Sequence, residues 1–543
     1  MNYMGKRYLF YIFLIISICW NFRSLAQVDS TNLPLFIIDT GGQPIVDEPK
    51  IEANLKIIYN ENGYTMKSDD PNIYDGNIGI EIRGRYSAWL PQKPYGFETR
   101  DSIGNNLNIP LFHMPSENDW ILLANYNDKV FMRNSLAFEL FRQMGHYAPR
   151  TQFCEVIVNG YYQGIYVLTE KIKVDKNRID IAKLTKEDNT GDDVTGGYVF
   201  KVDYFDEYNS WESHHPPYDG STEPVRFVYY YPKPDDITPQ QKQYIQQLVD
   251  RMESNLYKTG SQGITDVMSD YLDLDSFVDY FLLNELARNV DGYKKSSYFF
   301  KDKNSNGGLL HAGPVWDFDW AWKNIGECIF GATDGSGWAF TVHQCDPWPV
   351  PPGWTVKLMK DIRFKRMVKE RYLELRQNIL SETFIFNYID SVSYVLEEAQ
   401  ARHYIRWPIL GQNVGAPEVD PQPNTFEGEI SKFKNWISTR LNWLDLQFSS
   451  VIVTGLEDNP IRSPIVENTD CSLFPNPAQT YLYLKTDKVV HDISLYSSAG
   501  EHINISYMSG VKAIDIRTLP GGIYIVKNIF TDGSQWTGSF IKQ

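Results

Sequence analysis

The sequence predicts an α+β fold followed by a separate small all-β domain. Three observations carry this. β-forming runs crowd the chain up to about residue 203 and amphipathic stretches dominate after residue 224, and strands first with helices later is an α+β order. A polar stretch with two prolines, VIVTGLEDNPIRSPIVENTD, opens at residue 451 and reads as a linker. Beyond it lie short β-rich runs, YLYLKT, DISLYSS, INISYM, GGIYIVKNIF and WTGSFIKQ, at the spacing of a β-sandwich.

In the first part, LPLFIIDT and ANLKIIYN read as strands, and NIGIEIRGRYSAW puts Ile78, Ile80 and Ile82 on one side of another. YGFETRDSIGNNLNIPLF suggests a hairpin. DKVFMRNSLAFELFRQMG has helical spacing, with Gly145 placed to close it. CEVIVNGYYQGIYVLTEK is the clearest hairpin, since Asn159-Gly160 is the pair a type I′ turn prefers. TGGYVFKVDYF is a further strand, and 206–224 reads as a polar surface insertion. QQKQYIQQLVDRMESNLY aligns Ile245, Leu248, Met252 and Leu256 on one helix face. LDSFVDYFLLNELARNV is apolar nearly all round, as a buried helix is. TVKLMKDIRFKRMVKERYLELRQNIL and EISKFKNWISTRLNWLDLQF read as two long amphipathic helices.

The 543 residues allow two or three domains, and the formal charge of −16 disfavours a nucleic-acid partner. At the N-terminus, Lys6-Arg7, an apolar run from Tyr8 to Trp20 and Ser24-Leu25-Ala26 read as a cleaved signal peptide over residues 1–26. The apolar run is too short for a spanning helix, which needs roughly 20 residues, and the mature chain offers no other span. Of the five cysteines, Cys19 leaves with the signal. Cys328 and Cys345 bracket one loop and are the favoured pair. No Cys/His spacing resembles a zinc site.

The stretch GPVWDFDWAWKN sets Asp317 and Asp319 among aromatic residues. On an extended strand both carboxylates would share a face. Their repulsion and lost hydration would be offset by a hard divalent cation. The same pair could equally face solvent or cap the next element. Upstream, Asp291 follows the buried helix, and Ser296 lies five residues on. Protein kinases set a catalytic Asp, a metal-binding Asn five residues later and a metal-binding Asp in that order. An Asx turn before Gly292 would also explain Asp291.

Together, IGIEIRGRYSAWLPQKPYGFETRD, ENDWILLANYNDKVFMRNSLAFELFRQMG, CEVIVNGYYQGIYVLTEKIKVDKNRIDI, TGGYVFKVD, FLLNELARNVDGYKKSSYFFKDK and GPVWDFDWAWKN resemble the spore-coat-protein-H (CotH) kinase family over most of residues 34–450. The resemblance implies a divergent protein-kinase-like domain that uses ATP with Mg2+ or Mn2+ to phosphorylate protein serines. It makes Asp291 the catalytic aspartate, and Asp317, with Asp319 and Ser296, the metal site. Lys93, in QKPYGFE, would meet nucleotide phosphates, with Arg83 and Arg133 as further cations. Glu139 would pair with Lys93, and Glu170 is its rival for that role. Two departures stand out: bulky Arg85-Tyr86-Ser87-Ala88-Trp89 where relatives carry small polar residues, and Ser296 where kinases carry Asn.

From residue 469 to 543, LFPNPAQTYLYL, DISLYSSAGEHI, IDIRTLPGGIYIVKNIF and GSFIKQ resemble the type A sorting domain of type IX secretion, an Ig-like sandwich. That implies the type IX secretion machinery as a partner, and a Bacteroidota-type address outside the cell or on its outer surface. The domain order expected is signal peptide, kinase-like domain 34–450, linker 451–468 and sorting domain. An inactive kinase-like scaffold that binds surfaces or glycans is the rival function. A glycoside hydrolase with Asp317 and Asp319 as its two acids is the third reading, with no resemblance behind it.

Overall fold

The structure is a computed structural model. It describes residues 28–450 apart from 218–220, 222, 261 and 262, and residues 472–542 apart from 477, 487, 498–501, 509–511 and 532–534. The expected signal peptide, linker, Cys19 and Cys471 lie outside the described residues. The chain divides into two compact units, one up to Val453 and one from Thr454.

The first unit opens with a closed barrel. Its strands are β1 (Leu35–Asp39), β2 (Ile51–Ile58), β3 (Tyr74–Ile82), β4 (Tyr95–Arg100), β5 (Asp119–Ala124), β6 (Thr151–Val158) and β7 (Tyr161–Glu170), with helix α1 (Arg133–Gln143) between β5 and β6. The order around the barrel is β6-β7-β5-β4-β3-β2-β1, and a parallel pairing of β1 with β6 closes it. Closure leaves no strand edge open. Alternate residues point inward: Phe36, Ile38, Leu55, Ile57, Ile78, Ile80, Phe97, Trp120 and Leu168 form its core. The β6–β7 turn is as expected, with Asn159 and Gly160 at φ 50° and 80°. Gly145, at φ 102°, follows α1 as its closing residue. The expected hairpin after Tyr95 forms only at its tip, where Arg100 bridges Asn106, Asp101 N–H donates to Asn105 O at 2.8 Å and Leu107 N–H donates to Thr99 O at 2.8 Å. β4 pairs with β3 and β5, whereas Ile109–Leu111 makes a separate ribbon with Met114–Glu117.

The second layer is an antiparallel sheet in the order β9-β10-β8-β11-β12, where β8 is Tyr198–Val202, β9 Ser210–Glu212, β10 Arg226–Tyr231, β11 Ser297–Lys301 and β12 Leu310–Ala312. The supposed insertion at 206–224 thus contributes a strand, because Ser210–Glu212 pairs with Arg226–Val228. Between β10 and β11 come α2 (Pro239–Lys258), started by a capping box at Thr238 and Gln241, and α3 (Leu274–Ala287), buried from Ser276 to its end.

After β12 the chain is helical: α4 (Ile362–Arg376), α5 (Glu382–Arg406) and α6 (Phe426–Ser450). The first long amphipathic stretch is two helices, not one. Asp361 breaks it, since its carboxylate caps α4 through Arg363 N–H at 2.8 Å and also accepts from Thr265 N–H at 2.9 Å. Helix α5 was not read from the sequence. Among the described residues no helix is long and apolar enough to cross a membrane. Cys328 and Cys345 form a disulfide, and Cys154 is free and buried.

The second unit consists of two four-stranded antiparallel sheets. Leu482, Leu484 and Ile514 from one and Leu495, Val526 and Phe540 from the other share one core.

Helix α5 docks on the barrel through a neutral histidine. His403 is fully buried, and its Nδ1 accepts from Ile165 N–H of β7 at 3.1 Å. Burial, with Arg406 nearby, pushes its pKa down to about 3. The unfolded chain takes a proton at about 6.5, so the stability this group holds above that pH is lost as pH falls from 6.5 toward 3. His403→Gln lacks this titration. By chemical denaturation its deficit against the parent should be smaller at pH 5 than at pH 7, by about 2 kcal/mol.

Candidate active site

The register of one hairpin brings the site together. In β11 and β12, Phe299 faces Ala312, and Gly313 N–H donates to Tyr298 O at 2.8 Å. The start of β11 and the end of β12 therefore lie at the same end of the sheet. Asp291 and Ser296 precede β11, and Asp317 follows β12. On the other side of β11, Val202 pairs with Ser297, so Asp203 arrives at this end too. Residues 26 positions apart in sequence, Asp291 and Asp317, are close enough to act on each other's charge.

The loop before β11 is held from below. Glu285 of α3 is fully buried and accepts from Ala339 N–H and Phe340 N–H, both at 2.7 Å, and from the Tyr293 hydroxyl at 3.1 Å. Arg440 of α6 lies 3.3 Å from its carboxylate and also donates to the Glu285 carbonyl at 2.8 Å. Burial outweighs their attraction, raising Glu285 to about 7 and lowering Arg440 to about 9. Arg288, in the left-handed region at φ 42°, ends α3. Its guanidinium donates to the carbonyls of Phe330, Ala332 and Ser336, and so pins the disulfide loop. Above this, Asp291 O accepts from Lys295 N–H at 2.9 Å, a tight turn, and the Asp291 carboxylate sits 3.0 Å from the Lys295 ammonium.

The segment 313–318 is not the extended strand expected. Asp317 adopts φ 70° and Ser296 φ 46°, left-handed conformations that cost non-glycine residues roughly 1–3 kcal/mol and cluster at functional sites. The bend at Asp317 ends the alternation. Trp316 stacks on Phe138 at 5.6 Å, Phe318 is buried, and Trp320 meets Tyr86 edge-on at 5.5 Å. Asn134, at the start of α1, accepts from Phe318 N–H at 2.6 Å. Asn127 donates to the Asp319 carboxylate. The two carboxyls still meet, without a shared strand face. Burial, then the charges of Asp319 and Asp291, raise the pKa of Asp317 well above the usual carboxylate range. Asp319 is raised too, chiefly by burial, with Lys323 opposing. The Ser296 hydroxyl donates to Asp317 at 3.3 Å.

Two half-buried carboxyls with a hydroxyl beside them fit a hard divalent cation, which takes oxygen ligands and commonly only one or two carboxylates, the rest being water and phosphate. Among the described residues no three His, Cys, Asp or Glu side chains could hold a metal unaided.

The cations divide. Arg83 lies over the Trp316 ring at 5.6 Å, beside the acids, and has no carboxylate partner among the described residues. Lys93 donates to Ala88 O at 2.8 Å, within its own loop. Arg133 is buried against Asp128 and belongs to a network in which Lys129 meets Glu429 at 2.6 Å and Lys323 meets Glu418 at 3.2 Å. That burial gives it a structural task in place of the expected phosphate contact. Glu139 is taken up by Arg142 at 2.6 Å and Gln143 at 2.7 Å, and Glu170 by Arg150 and Arg178, so neither makes the expected pair with Lys93. Trp89 is 85% exposed, so the bulky loop leaves the acids uncovered by its ring. Sequence reasoning missed Asn127, Asn134, Asp203 and Lys323. Only Asp203 had a signal, as the residue that ends a strand next to β11.

A family model described as CotH kinase protein matches residues 80–444. The chain belongs to the CotH kinase protein family. A second model, the secretion system C-terminal sorting domain, matches residues 472–543. No curated protein matches the chain. The sorting domain marks this CotH-family protein for export through the type IX machinery, to the cell surface or the medium.

The pair under the Asp291 loop can be tested directly. Arg440→Met strands a buried carboxylate and should destabilise the protein by about 3 kcal/mol. Glu285→Gln added to it should recover part of that loss, as read from the thermal midpoint.

Proposed function

We propose that this protein is an exported, ATP-dependent, metal-requiring phosphotransferase acting on protein serine hydroxyls. It would be built as a divergent kinase-like domain over 34–450, with an Ig-like sorting domain over 469–543 of the kind found in Bacteroidota. A signal peptide at 1–26 and a linker at 451–468 complete the proposed order. The observation that carries the reading is the meeting of Asp291, Ser296 and Asp317 at one end of the sheet, with Ser296 Oγ 3.3 Å from Asp317.

Asp317 and Asp319, with Ser296, would hold Mg2+ or Mn2+. When bound, the ion neutralises charge on the nucleotide phosphates. Asp291 would accept the proton of the serine hydroxyl as its oxygen bonds to the γ-phosphorus and the bond to the β,γ-bridging oxygen breaks, releasing ADP. Lys295, 3.0 Å from Asp291, aims that carboxylate. Arg83 supplies positive charge from the barrel side. Lys93, whose ammonium donates to Ala88 O at 2.8 Å, would meet the nucleotide phosphates from that loop. Positioning and electrostatics account for most of such a reaction.

Asp317→Ala and Asp291→Asn should each lower manganese-dependent transfer from labelled ATP to a serine-rich acceptor by about a hundredfold or more. The thermal midpoint of Asp317→Ala should stay at or above that of the parent, since a carboxyl crowded by Asp319 and Asp291 is removed. Undiminished transfer by either variant would refute the assigned roles.

A further inference from the structure

The loop that departs from the family pattern carries an exposed arginine whose position is informative. Arg85 follows β3, and its guanidinium carbon lies 3.8 Å from the centre of the Tyr204 ring. Lys295, from the loop before β11, reaches the same ring at 5.1 Å. Lys295 also holds Asp291 at 3.0 Å. Tyr204 follows Asp203 at the sheet end, and its ring packs on Trp348 at 5.2 Å. One aromatic ring therefore joins a cation of the barrel side to a cation bonded to the proposed base. Arg85 has no carboxylate partner among the described residues, and Arg83 two positions earlier has none either.

An aromatic face attracts a cation but leaves its charge unneutralised. Asp291 meets the charge of Lys295, whereas that of Arg85 is left over, and an anion set beside the ring would neutralise it. Resting on the phosphotransferase reading above, we propose that Arg85 binds the terminal phosphate of the nucleoside triphosphate, with Tyr204 as its platform and Lys295 as the second arm. The planar guanidinium suits this task, because its fork of donors matches two phosphate oxygens. The bulk in the 85–89 loop is then a device for reaching the phosphate that is transferred, rather than an obstruction. A terminal phosphate also separates triphosphate from diphosphate, so product ADP would lack this hold.

Calorimetric titration of the full exported chain with ATP and with ADP, each with magnesium, tests this. Arg85→Met should weaken ATP by about tenfold to a hundredfold and leave ADP within about twofold. Tyr204→Leu should shift ATP the same way by less. Arg85 is exposed, and an unchanged thermal midpoint will show that its variant folds. Equal weakening of both nucleotides, or unchanged affinity for both, overturns the clamp. So does a raised KM for the serine acceptor with nucleotide affinity intact, since Arg85 would then serve the acceptor. Failure of the parent protein to bind either nucleotide fells the phosphotransferase reading and the clamp with it. Parent binding with an unaltered Arg85→Met fells the clamp alone.

Discussion

Glu285 and Arg440 are both fully buried, and neither has access to water to balance its charge. A charge so placed is tolerable only when its partner and its hydrogen bonds are fixed. Here one carboxylate takes two backbone N–H groups from the disulfide loop, and one guanidinium takes the carbonyls of Gly335 and Gly337 in the same loop. The helix that ends at Ala287, the helix from Phe426 and the loop between Cys328 and Cys345 are thereby locked into one arrangement. The Asp291 turn grows directly from that helix end. Its position follows from charges that have nowhere else to go.

A second network does the same on the barrel side. Lys129, Arg133, Lys323, Lys432, Glu418, Glu429 and Asp128 neutralise one another between the start of α1 and the last helix. Its coupling pulls Glu418 far below the ordinary carboxylate range, chiefly through Lys323, although burial works against it. Lys323 also acts on Asp319, and its ammonium donates to Asn127 O at 3.3 Å. The acids at the sheet end are thus flanked by two sets of buried charges. Each set ties them to a different half of the first unit.

Much of the architecture was legible in the sequence, because hydrophobic periodicity and turn chemistry are local. Apart from strand β5, which was not read, the barrel strands, the Asn159-Gly160 turn and the buried helix α3 follow from spacing, and the favoured cysteine pair is the one that forms. What failed depended on distant partners. Asp361 looks like one polar residue in an amphipathic helix, but its carboxylate is claimed by Thr265 and the helix breaks there. Helix α5 lacks a clean apolar stripe, since part of its contact with β7 is made by His403, Arg406 and Trp407 through hydrogen bonds to the barrel backbone. Of the candidate site residues, Asp291, Ser296 and Asp317 were picked out by their order and spacing, and they flank one hairpin. Asn127 and Asn134 were not, since they act from α1 and its approach. Arg133 and Glu139 resembled site residues only while their real partners were unseen.

The aromatic residues around Asp317 and Asp319 have separate packing tasks, and this explains charges placed inside an apolar run. Trp316 and Phe318 fill the space against α1, while Trp320 meets the loop after β3. Apolar walls limit the access of water to the two half-buried carboxyls, which strengthens every charge that reaches them. The chain has 68 acidic and 52 basic residues, and near the site Lys294, Lys295 and Lys323 are spent on neighbouring acids. Arg83 and Arg85 are not, and both face the end of the sheet where Asp203, Asp291 and Asp317 converge. Acids on one side and uncommitted cations on the other create a field with a gradient across a short gap. A polyanion carrying a divalent cation has the matching charge distribution, with the metal toward the acids and the free oxygens toward the arginines. The strain at Asp317 and Ser296 and the buried networks beneath them hold that gradient open, where water or side-chain pairing would otherwise collapse it.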